Sequence, residues 1–162
     1  LVALDLDRTT LNSESHLSEV NRKALIDAIN NGVHVCIASG RAFDTLPEDV
    51  ISVPGIEYAI TSNGAAIYRI AGKECLKSYL LTPSSVKTIL DLTANDTVTY
   101  EAFIKGQAFA STEYTAHPEK YSATEHSLNY VKKTRILKDD IKGFILEPSA
   151  CLYQQCGIRI RC

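Results

Sequence analysis

Leu1-Val2-Ala3-Leu4-Asp5-Leu6-Asp7-Arg8-Thr9-Thr10-Leu11 is an apolar run that breaks into two carboxylates two residues apart. A short apolar stretch of this kind suits a strand buried in a parallel sheet. The carboxyl end of such a strand is where open α/β sheets gather ligands. Two acids flanking a leucine at that place are costly to bury unless something compensates them. The pair suits a bound divalent cation such as Mg2+, which prefers hard oxygen ligands, and with it phosphate chemistry. The plainer reading makes Asp5 and Asp7 turn-forming or capping acids.

Downstream, strands and helices alternate. Ser18 is a candidate N-cap, and Val20, Ala24, Leu25, Ala28 and Ile29 recur at helical spacing before Gly32 stops the helix. Val33 to Ala38 reads as a central parallel strand that ends in Ser39-Gly40-Arg41, a tight turn into a second helical stretch interrupted at Pro47. Tyr58 to Ser62 reads as a third strand ending at Asn63-Gly64. Links this short predict right-handed crossovers and a parallel sheet.

The pattern changes near residue 65. Two apolar stretches around Ala71-Gly72-Lys73-Glu74 read as a hairpin, and Thr82-Pro83 opens a helix carrying Val86, Ile89, Leu90 and Thr93 on one face. A second antiparallel pair is joined through Lys105-Gly106, and weaker helical stretches cover residues 113–121 and 125–133. The expected organisation is an α/β core over 1–64, an α+β segment over 65–147 and an atypical tail over 148–162.

Composition narrows the field. At 162 residues with 45% apolar and 22% charged residues, the chain is long enough to bury a core. A formal charge of −2 offers no basic footprint for nucleic acid or an anionic membrane surface. No apolar run approaches the ~20 residues that span a bilayer. Five cysteines without a CxxC pair argue against a disulfide framework or a zinc site, and Cys36 reads as a small core residue. A reducing, cytoplasmic compartment is expected.

The strand ends hold the chemistry. A carboxylate such as Asp5, placed near Mg2+, can attack a phosphoryl phosphorus, and Asp7 can then serve the leaving oxygen and the incoming water as acid and base. Ser39 and the backbone around Gly40 can hold phosphate oxygens, helped by a helix N-terminus. Arg41 reads equally as a clamp on a substrate anion or as a partner for a core carboxylate. Asn63 can contact ligand or simply make an unusual turn. His16, His34, His117 and His126 share no spacing and read as surface or internally satisfied residues.

The three strand ends together resemble the haloacid dehalogenase superfamily of phosphohydrolases. Asp5-Leu6-Asp7-Arg8-Thr9-Thr10-Leu11 is similar to that family's first motif, Asp-x-Asp-Gly-Thr-Leu-Leu, and Ala38-Ser39-Gly40-Arg41 to its second. Thr61-Ser62-Asn63-Gly64-Ala65 resembles the junction into an α/β cap in the Cof-like branch. The resemblance implies a Rossmann-like parallel core with an inserted cap, Asp5 as nucleophile, Asp7 as general acid/base, and Ser39 on the phosphate. It also implies Mg2+ on the Asp5 carboxylate and the Asp7 backbone carbonyl, and a small phosphorylated substrate such as a sugar phosphate. Arg8 stands where the family has Gly, and Thr10 where it has an apolar residue. The family's later lysine and acidic pair are not recognisable, which implies a truncated core, weak metal binding and little turnover for these 162 residues. A noncatalytic remnant that binds metal or a partner is the alternative. A receiver-like signalling domain would lack the inserted α+β segment. Oligomeric state is left open, although an exposed sheet edge favours self-association.

Overall fold

The computed structural model describes residues 1–146 and the backbone of residues 157–161. Two compact units divide the chain, Leu1–Tyr79 and Leu80–Cys162.

The first unit is a five-stranded sheet in the order β1-β2-β3-β4-β5: β1 (Val2–Leu4), β2 (Val35–Ala38), β3 (Tyr58–Thr61), β4 (Ala66–Arg69) and β5 (Glu74–Ser78). The first three strands are parallel, and β4 and β5 add an antiparallel hairpin to their edge. Val35, Cys36 and Ile37 of β2 are all buried, as a near-continuous apolar strand covered on both faces requires. Ile37 alone, fully buried, contributes about 1.5–3 kcal/mol by leaving water. Leu6, Leu11, Phe43, Leu46, Val50, Ala59 and Tyr68 complete this core, with the Phe43 and Tyr68 rings 4.4 Å apart.

Helix α1 (Glu19–Asn30) follows Ser18, whose hydroxyl accepts the Asn21 N–H at 3.2 Å. Its inward face is Leu25, Ile26 and Ile29, while Val20, expected on that face, is 78% exposed. Val20 thus points away from the sheet. The helical stretch expected after Arg41 is interrupted at Pro47 as the sequence implies: a single turn at Phe43–Thr45 is followed by the four-residue α2 (Glu48–Ile51). Pro47, which has no N–H to give, separates the two. The helix N-terminus sought beside Ser39 therefore lies at Glu48 instead.

Sequence placed a boundary near residue 65, but the hairpin after it continues the first sheet. Thr61 pairs with Ala66 and Tyr58 with Arg69, because the intervening Ser62, Asn63 and Gly64 all take left-handed backbone angles and reverse the chain at once. The contacts divide the chain at Tyr79/Leu80 instead.

The second unit has a sheet ordered β8-β7-β6-β9: β6 (Thr99–Ile104), β7 (Gln107–Ser111), β8 (Ile136–Lys138) and β9 (Gly157–Arg161). Lys105 and Gly106 both have positive φ, the conformation of a two-residue hairpin turn, so β6 and β7 pair antiparallel. On one sheet face, Tyr100, Ala102, Ile104 and Phe109 pack with Val86 and Leu90 of α3 (Pro83–Leu92) and with Ile141 and Ile145 of α6 (Ile141–Leu146). Ala110 packs with Tyr114 of α4 (Thr112–Ala116), Tyr121, and Val131 of α5 (Glu125–Thr134). Of the tail expected at 148–162, residues 148–156 and 162 lie outside the described residues, and β9 runs antiparallel to β6.

Candidate active site

Register places the candidate residues at one sheet edge. Leu4 is level with Ile37, and Ala38 with Ile60, so Asp5, Ser39 and the turn after Thr61 leave adjacent strands on the same side. The Ser39 N–H donates to Ile60 O at 2.9 Å, the Ser62 N–H to Arg41 O at 2.8 Å, and the Asn63 N–H to Ser39 O at 3.4 Å. Ser39 and Arg41 are buried, Gly40 is half-buried, and Asp5, Asp7 and Asn63 are exposed.

After β1 the chain makes one wide five-residue turn, Leu6–Thr10, closed by the Leu11 N–H on Leu6 O at 2.9 Å. Leu6 points into the core, so its two acidic neighbours face outward. Two threonines fix Asp5. The Thr9 hydroxyl donates to Asp5 Oδ2 at 2.6 Å, and the Thr10 hydroxyl donates to the Asp5 carbonyl at 2.6 Å. Asn21 Nδ2 donates to Thr10 O at 2.9 Å, tying the turn to α1. Sequence reading assigned no role to these threonines; their four- and five-residue spacing from Asp5 carries a signal only once the turn is known.

Arg41 pairs with a carboxylate, that of the exposed Asp7 at the site rather than a core acid. Its guanidinium forks onto Asp7, with Nη2 donating to Oδ1 at 2.6 Å and Nε to Oδ2 at 3.0 Å, and Nη1 donates to Thr45 O at 3.2 Å. A bidentate pair of this kind is among the stronger side-chain contacts. The Arg41 N–H in turn donates to Ser39 Oγ at 3.2 Å. Asp7, Arg41 and Ser39 thus form one connected chain of contacts.

Hydrogen bonds from Arg41 hold the Asp7 carboxyl below the usual carboxylate range, against the burial that would raise it, and the charges of Arg41 and Arg8 act in the same direction. A depressed folded-state value means that stability is present above the unfolded-state value near 4 and is lost as pH falls through the folded one. Asp7→Asn is expected to flatten part of the acid limb below the unfolded-state value of about pH 4. Urea denaturation across that range checks it; an unchanged limb removes Asp7 as a contributor.

The donor set fits a hard cation. Mg2+ keeps several waters and takes one or two carboxylates, and the Asp5 carboxylate and Asp7 main-chain carbonyl are oxygens of that type. The Asp7 side chain, bound by Arg41, is less suited to that duty. No group of three or more His, Cys, Asp or Glu that could hold a metal occurs among the described residues.

A family profile described as haloacid dehalogenase-like hydrolase matches residues 2–158, and the chain belongs to that family. It is similar to 5-amino-6-(5-phospho-D-ribitylamino)uracil phosphatase YcsE of Bacillus subtilis (strain 168), 41% identical over 68 residues, which is 42% of this chain and 27% of the relative. In structure it resembles a haloacid dehalogenase-like hydrolase from B. subtilis, with a TM-score of 0.63 and 23% identity over 90% of this chain and 56% of that one. It also resembles the subclass IIB sugar phosphatase BT4131, with a TM-score of 0.62 and 18% identity over 83% of this chain and 50% of that one. The chain therefore spans about half the length of these solved structures. Among the described residues, no helix is long and apolar enough to cross a membrane.

Proposed function

We propose that the protein is an Mg2+-dependent phosphatase of small phosphorylated metabolites, sugar phosphates among them, working through an aspartyl-phosphate on Asp5. The observation that carries this reading is the shared edge of β1, β2 and β3, where the Asp7–Arg41–Ser39 contacts stand next to a carboxylate fixed by Thr9. Relatives named as phosphatases support it.

Thr9 occupies Oδ2 of Asp5, which leaves Oδ1 to attack phosphorus. A bond forms from Oδ1 to phosphorus as the ester P–O bond breaks, and the leaving oxygen takes the electron pair. In the reverse half, water attacks phosphorus, Asp7 accepts its proton, and the Asp5 carboxylate departs with inorganic phosphate released. Arg41 keeps Asp7 ionised and so able to accept a proton, but it also lowers the basicity of the carboxylate. For the leaving oxygen of a sugar phosphate, Asp7 must first take up a proton and give it as the ester bond breaks; Arg41 opposes that uptake, so aryl phosphates are expected to be cleaved faster than sugar phosphates. The Ser39 hydroxyl already accepts from the Arg41 N–H and has its own hydrogen to give a phosphate oxygen. When bound, Mg2+ neutralises charge on the phosphate and on Asp5. The second unit, from Leu80, serves in this reading as the inserted cap that selects the substrate.

Phosphate release from p-nitrophenyl phosphate, measured with Mg2+ and again with chelator, tests the proposal. Release that needs Mg2+ supports it; equal release with chelator overturns the metal dependence. A noncatalytic binding role is favoured by the grip of Arg41 on Asp7. No turnover, together with an unfolding transition that shifts with Mg2+, would select that alternative.

A further inference from the structure

We propose that Arg8 is a specificity-determining residue that grips a second anionic group of the substrate, favouring phosphate esters that also carry a carboxylate or a second phosphate. The inference rests on the phosphatase reading and deepens it. Arg8 has φ 64 and ψ 11, left-handed backbone inside the turn between the two acids. For a residue with a Cβ this conformation costs about 1–2 kcal/mol. The motif that this stretch resembles has Gly there, which takes such angles freely. A long cation at a place that local folding disfavours is a candidate for function.

Three observations give the cation its task. Its side chain is exposed, and no hydrogen bond or close ion pair engages it among the described residues, although its charge is felt by Asp7. The other guanidinium of the site is already committed: Arg41 is buried, with Nε and Nη2 on Asp7 and Nη1 on Thr45 O. The turn that carries Arg8 is held on both sides, by Thr9 and Thr10 on Asp5 and by the Leu11 N–H on Leu6 O. A planar fork on an anchored turn, on the residue next to Asp7 and three along the chain from Asp5, with its charge felt at Asp7, matches a neighbouring carboxylate or phosphate group in shape and charge.

Calorimetric titration in the presence of Mg2+ compares two probes of similar size, phosphoglycolate and ethyl phosphate. The wild-type protein is expected to bind phosphoglycolate about tenfold more tightly, the scale of one charge-assisted hydrogen-bond pair. In Arg8→Gln and Arg8→Gly that preference is expected to fall below about threefold, with ethyl phosphate affinity changed less than about threefold. Arg8→Gln keeps the backbone cost and Arg8→Gly removes it, so agreement of the two isolates the guanidinium. Equal binding of both probes by the wild type, or a preference that survives both substitutions, overturns the role of Arg8 alone. Binding of neither probe overturns the phosphatase reading with it.

Discussion

Asp5→Asn is expected to lower phosphate release from p-nitrophenyl phosphate by at least about a thousandfold, because in the proposed mechanism the substitution removes the attacking oxygen. The amide is nearly isosteric and can still accept from Thr9 through its oxygen, so the turn and its contacts should survive. A second readout separates loss of chemistry from loss of binding. Beryllofluoride mimics an acyl-phosphate on a carboxylate. With Mg2+ it should give a protein-bound fluorine NMR signal in the wild type and none in Asp5→Asn. Full turnover in the variant, or an unchanged fluorine signal, removes Asp5 as the nucleophile.

Arg135→Met is expected to cost about 3–5 kcal/mol in urea denaturation, the penalty for removing one member of a buried ion pair. Arg135 Nε and Nη2 contact Glu101 Oε2 at 3.1 and 3.0 Å, and both side chains are 1% exposed. Arg135 also donates to Thr134 O and Thr134 Oγ1, and its guanidinium lies 5.6 Å from the Phe103 ring centre and 5.1 Å from that of Tyr130. Arg135→Met takes the cation away from a carboxylate that is 1% exposed, so the loss measures the cost of an uncompensated negative charge more than the bond itself. Replacing both partners, as Glu101→Leu with Arg135→Met, should recover most of the loss, since an apolar pair of similar volume is often neutral or better. A single-variant cost below about 1 kcal/mol would show that water reaches the pair after all.

The order β1, α1, β2, β3 was legible because each strand is a short apolar run and each strand end is marked by polar residues. The hairpin of β4 and β5 was also legible, but not the sheet it joins, since pairing depends on the register Thr61↔Ala66 rather than on composition. Ile136–Lys138 and Ile141–Leu146 escaped notice: three and six residues are too few to show a period. Their places are fixed by partners far along the chain, such as Phe109 opposite Ile136. In the candidate site, the residue types at the strand ends could be read, but not their pairings. Arg41 and Asp7 are 34 positions apart, as are Arg135 and Glu101, and nothing in the local pattern couples them.

Asp49 shows how a fragment of structure too small to persist alone can be kept. Helix α2 has only four residues, far below the length at which a helix holds itself together in water. Asp49 Oδ2 accepts the Leu17 N–H at 2.8 Å, and its main-chain oxygen accepts Arg22 Nη1 at 3.0 Å. Leu17 also bridges to Leu11, at the close of the turn that carries both acids. Loosening that short helix would therefore slacken from behind the bend that carries Asp5 and Asp7, so a lesion at residue 49 is expected to disturb those two acids before it melts the unit.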